Sequence, residues 1–157
     1  MTLLGEVVAL VAKAFENDVD KGGNPYIMHC FAVMDNTRKL GVTDPVALAA
    51  AFAHDLGEDH PEYLPQLVEI SERYNAPNLI KFTMLLTRRD GESYREFIRR
   101  IIESGEIQVI KIKKADLKHN SCITRLKGVR QSDLDRIKKY HKSFLELDEA
   151  EKKLNNG

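Results

Sequence analysis

The chain has 157 residues, 43% of them hydrophobic and 31% charged, with Lys+Arg and Asp+Glu balanced at 24 each. That length suits one domain with a sizeable core. Zero net charge gives no global attraction to nucleic acid or to an anionic membrane, so any anion site must be local. No apolar run approaches a membrane span, and Met1–Gly5 lacks a basic leader, so a cytoplasmic location is expected. Cys30 and Cys122 have no CxxC partner and read as two reduced thiols rather than a disulfide or zinc site.

Helical periodicity dominates. Leu3, Val7, Leu10, Val11 and Ala14 predict a first helix over about 3–17. Asp18–Asn24, with Gly22-Gly23, reads as a loop. A second helix is expected from Pro25, capped by Asn24, to Leu40, with Gly41 just past its end. A third, capped by Thr43 with Asp44 and Pro45 in its first turn, should continue to about His54. Gly57–His60 reads as a polar turn, and Pro61 opens a helix to about Tyr74. Asn78–Leu86, Glu92–Ser104 and Ile107–Asn120 also have helical spacing; the β-branched content of Ile107–Ile112 leaves a strand open there. The last helix is expected over about Ser132–Leu154, with Leu134, Ile137, Tyr140, Phe144 and Leu147 inward, and Asn155–Gly157 fraying. The expectation is one all-α domain over residues 1–154, a bundle of about seven helices.

The stretch Ala49–Asp59 (Ala-Ala-Ala-Phe-Ala-His-Asp-Leu-Gly-Glu-Asp) demands a chemical explanation. Its first half is small enough for close helix packing. Its second half gathers an imidazole and three carboxylates. Neighbours on a helix point about 100° apart, so His54 and Asp55 reach one ion only off the helix edge. Imidazole with carboxylate suits a borderline divalent metal. Other elements must complete such a site. His29 and Asp116 are candidates, although each taken alone reads more readily as a core histidine and a lysine-flanked solvated acid.

The order is more specific than the parts: a single His, then adjacent His-Asp, then a distant Asp, each on a helical segment. This pattern resembles the HD superfamily of metal phosphohydrolases. Three segments, Lys21–His29, Ala53–Asp59 and Lys113–Asn120, resemble the (p)ppGpp hydrolase domain of RelA/SpoT homologues, and the resemblance spans about residues 6–147. It implies that His29, His54, Asp55 and Asp116 ligate one divalent metal, Mn2+ in that family. It implies that Glu58 and Asp59 orient and deprotonate the attacking water. It also implies substrate contacts from Lys21, Lys113, Asn120 and Tyr140, while Arg88 and Arg89 could reach phosphates from their loop. The small-molecule partner implied is a nucleotide, (p)ppGpp first. Where the family often carries His and then Gln three residues on, this chain has Phe15 and Asp18. Two other readings stay open: an HD phosphohydrolase acting on another nucleotide, and a non-catalytic binding module on the same scaffold.

Overall fold

The computed structural model describes residues 1–157 and is all-helical. Nine α-helices follow in order: α1 Leu3–Ala14, α2 Ile27–Lys39, α3 Pro45–Phe52, α4 Leu56–Asp59, α5 Leu64–Arg73, α6 Pro77–Leu85, α7 Tyr94–Glu103, α8 Ile107–Asn120 and α9 Gln131–Asn156. Short 3-10 turns occupy Pro61–Tyr63 and Ile123–Arg125. The only β-type pairing is an isolated bridge between Val19 and Pro25, which closes the α1–α2 loop. Ile107–Ile112 is therefore helix. Val109, Ile110 and Ile112 are fully buried, so packing overrides the β-branched preference.

Local chemistry explains three of the helix starts. Thr2 accepts from the Gly5 amide, and Asp44, rather than Thr43, accepts from Val46 at 3.0 Å with Pro45 following it. Ser93 and Glu96 form a reciprocal capping box at the start of α7. The second helix begins two residues later than Pro25, because Pro25 pairs with Val19 instead. Gly41 lies just past α2 with φ +88°, a left-handed turn that suits glycine.

Ala49, Ala50, Ala51 and Ala53 are completely buried, and α3 packs against α1, α2 and α6. Side chains ending at Cβ let those three helices approach α3 closely. On the other side of the molecule α8 lies between α2 and α9. Lys114 on α8 is buried and bonds Asp148 and Glu151 of α9, both at 2.7 Å. This pairing satisfies a charge that would otherwise be costly to bury. Within α9, Leu147 is fully buried but Leu134 is exposed, contrary to its expected inward position. The helix also continues to Asn156, through residues expected to fray.

The centre of the fold departs from the expected pattern at one place. α3 stops at Phe52, and Ala53, His54 and Asp55 form a turn before α4. The residues expected as a polar turn, Gly57–His60, instead contain the single helical turn α4. A Cβ on Gly57 would collide with the Thr87 side chain, so this close approach of α4 to the end of α6 requires glycine.

Candidate metal centre and cleft

His29 stands at the start of α2, His54 and Asp55 in the α3–α4 break, and Asp116 on α8. All three segments pack on one another, which brings the four side chains to one point. The break lets adjacent His54 and Asp55 converge where a continuous helix would splay them. His54 Nε2 is 2.8 Å from Asp55 Oδ2, 3.1 Å from His29 Nε2 and 3.4 Å from Asp116 Oδ1. His29 Nε2 is 3.1 Å from Asp116 Oδ1 and 3.6 Å from Asp55 Oδ2.

These separations fit a common ion. Donors each ~2.1 Å from one ion lie ~3.0–3.4 Å apart in octahedral or tetrahedral arrangement. His29, His54 and Asp116 are buried and offer donor atoms within 4.8 Å of one another. Asp55 joins them from a more open position, with its side chain 20% exposed. The chemistry of the donors agrees. His54 Nδ1 lies 2.8 Å from the Ala51 carbonyl, which can only accept, so Nδ1 carries a proton and Nε2 is the nitrogen that would turn its lone pair to an ion. Tyr26 donates its hydroxyl to Asp55 Oδ2. Asn120 Nδ2 donates to Asp116 Oδ1 at 2.8 Å, and Lys113 Nζ donates to Asp116 Oδ2 at 2.8 Å.

Charge is concentrated in this buried point. Burial opposes a charged His54, but Asp55 and Asp116 outweigh it and raise its pKa well above the usual imidazole range. Burial likewise opposes ionised Asp116, yet Lys113 and His54 hold it well below the usual carboxylate range. Asp55 is depressed in the same way by His54 and His29. Such a cluster of opposed, desolvated charges is a common mark of a functional site.

The other expected site residues divide by location. Lys21, Asn120 and Tyr140 line a cleft of ≈ 210 Å³ whose wall includes His29 and Tyr26. Asp20, Cys122, Arg125 and Arg136 line it too. It continues past Lys21, Leu126 and Arg136 into an open basin of ≈ 660 Å³ with Lys127 and Arg130. Partial loss of water, then the charges of Arg136 and Lys139, lowers the Lys21 pKa. Lys113, expected at substrate phosphates, is largely buried over the Phe97 ring and bonded to Asp116. Arg88 lies in a separate polar cleft with Arg89; its Nε donates to the Glu92 carbonyl. Glu58 faces that second cleft as well and accepts the Arg88 amide at 2.6 Å. Asp59 has an exposed side chain, but loss of water at its carboxyl, then Asp55 and Glu58, push its pKa up to about 6.

Phe15 and Asp18 make internal contacts. Phe15 stacks on Tyr26 at 4.9 Å and meets the His60 ring edge-on at 4.6 Å. Asp18 Oδ2 lies 2.8 Å from His60 Nε2. Sequence reading missed three residues at the centre. Tyr26 sits inside the quoted Pro-Tyr-Ile-x-His segment. His119 is three residues after Asp116 and so shares its helix face; its Nδ1 lies 2.7 Å from His29 Nδ1. Burial, then Arg125 and His29, push His119 down to about 4. Arg136 is one turn before Tyr140 on α9, a spacing that could have indicated it.

No protein-family model matches the chain, and no curated protein matches it in sequence. The fold itself is matched. A solved structure of a metazoan orthologue of SpoT that hydrolyses ppGpp and plays a role in starvation responses aligns at a TM-score of 0.73. The alignment covers 99% of this chain and 93% of that one, at 21% sequence identity. At that identity the likeness establishes the fold.

Proposed function

We propose that the protein is a Mn2+-dependent (p)ppGpp 3′-pyrophosphohydrolase, which releases pyrophosphate and leaves GDP or GTP. The observation that carries this is the convergence of His29, His54, Asp55 and Asp116 at the edge of a basic cleft. The SpoT-like fold supports it. A divalent ion held by those donors supplies Lewis acidity and acidifies water at neutral pH.

The chain's own groups supply the rest. Asp59, with a pKa pushed up to about 6, is ionised at neutral pH yet basic enough to take a proton from water. Glu58 bonds the Arg88 amide, fixing the α6–α7 loop against α4 beside Asp59. Asn120 holds the Asp116 carboxylate and lines the cleft, so it also stands where a sugar or phosphate oxygen would sit. Lys21, Arg125 and Arg136 offer cations to the phosphates, and Tyr140 offers an aromatic wall. The first cleft alone is smaller than the ~300–1,000 Å³ usual for small-molecule sites. Joined to the basin bearing Lys127 and Arg130, it suits a nucleotide with phosphate at both ends.

The test is pyrophosphate release from ppGpp by Mn2+-loaded protein, with Asp55→Ala and chelator controls. Turnover lost in both controls supports the proposal. Intact ppGpp after incubation with loaded parent protein sinks it. One observation favours a second reading, hydrolysis of a different nucleotide. Phe15 and Asp18 are engaged with Tyr26 and His60, where the family often has His and Gln. A release screen across nucleoside mono-, di- and triphosphates separates the two.

A further inference from the structure

The geometry points to His119 as the positioning residue that fixes the His29 tautomer for ion binding. His29 uses its two nitrogens in opposite directions. Nε2 faces His54 and Asp116, both at 3.1 Å. Nδ1 faces His119 Nδ1 at 2.7 Å, and the two rings stack with centroids 4.9 Å apart.

A neutral imidazole has one N–H and one lone pair. If Nε2 presents its lone pair to an ion, the proton must sit on Nδ1. That proton needs an acceptor, because the His29 side chain is only 2% exposed. His119 Nδ1 is the atom within reach. Accepting there puts the His119 proton on its own Nε2. Two protons between the facing Nδ1 atoms would collide, and none would set two lone pairs against each other. One proton, donated by His29, satisfies both rings.

His119 is not a further ligand in this arrangement, since its Nδ1 meets the edge of His29 remote from the donor cluster. α8 thus supplies a donor, Asp116, and the residue that aims a second donor from α2. The usual acceptor behind a ligating histidine is a carbonyl or carboxylate, and loss of such a partner typically weakens metal binding ~10–100-fold. An imidazole in that place carries no formal charge, so it orients His29 without adding a third carboxylate to the site.

This assignment depends on the metal-site reading above but not on the substrate. Mn2+ alone is titrated calorimetrically into parent protein, His119→Leu and His119→Asn. Asn is the informative replacement, because its Oδ1 falls near the place of the imidazole Nδ1 and can accept. His119→Leu is expected to weaken Mn2+ binding ~10–100-fold, and His119→Asn to bind within about threefold of the parent, taking geometry as the only difference. Equal weakening in both variants, or parent-like binding in His119→Leu, would overturn the assignment. A parent protein that binds no metal would overturn the metal-site reading and this assignment together.

Discussion

Lys113→Met isolates the cation behind Asp116. Lys113 has a 12% exposed side chain, its ammonium is 2.8 Å from Asp116 Oδ2, and its tip lies 5.0 Å from the Phe97 ring centroid. Methionine preserves the stem over Phe97 and deletes the charge. Asp116, with a 4% exposed side chain, then keeps only neutral or shared partners. Breaking one side of a buried pair costs about 3–5 kcal/mol. Asn120 and His29 still bond Asp116 Oδ1 at 2.8 and 3.1 Å, which places the expected loss near about 3 kcal/mol in chelator. A bound divalent ion gives the carboxylate another counter-charge, so the loss should shrink to about 1 kcal/mol in saturating Mn2+. That difference of about 2 kcal/mol corresponds to roughly 30-fold tighter Mn2+ binding by the variant. Urea denaturation with EDTA and with Mn2+, followed by circular dichroism, measures both arms. A loss below about 1 kcal/mol in EDTA, or the same loss in both conditions, would refute the reasoning from the buried pair.

His60 should make stability fall as pH rises past neutrality. Burial opposes its charge, but bonds to Asp18 and Glu62 outweigh that and raise its pKa. A raised imidazole stabilises fully below the unfolded value of about 6.5, and the gain is lost as pH climbs through the folded value. Asp18 and Glu62 are partly solvated, so the term is expected to stay within about 1 kcal/mol. His60→Asn should flatten the dependence of urea midpoint on pH in that window; an unchanged slope counts against the clasp. Gly22→Ala should disturb the cleft, because a Cβ there meets the Arg125 backbone carbonyl. Overpacking of this kind costs about 1–3 kcal/mol. Lys21 would move with the loop, so KM for ppGpp should rise roughly tenfold with kcat nearly kept; parent-like KM would show that the loop contact does not shape the cleft.

Much of this fold can be read from side-chain periodicity. Leu3, Val7, Leu10, Val11 and Ala14 mark the buried stripe of α1, and all five are buried. Ile107–Asn120 is helical over the expected span. The interruption after Phe52 was hidden because Ala-rich sequence favours continued helix, and only tertiary convergence on His29 and Asp116 reveals why it stops. Leu134 followed the apolar pattern of α9 but is exposed. The four side chains that converge at the candidate centre, His29, His54, Asp55 and Asp116, were legible as an ordered pattern of His, His-Asp and Asp. Its supports were less so. Lys113 looked like a phosphate contact because a lysine's partner is invisible in sequence. His119 pairs with a residue 90 positions away, and no local spacing encodes that distance.

The donors of the candidate centre come from α2, the α3–α4 turn and α8, which are separated by over half of the chain. An ion held there would act as a removable cross-link, closing two long loops at one point. The unfolded chain scatters those donors, so affinity belongs to the folded state, and ion supply adds directly to its population. Scarcity of the ion would then shorten the life of the protein as well as silence it. In a cell, the amount of this protein would track metal availability before any change in its synthesis.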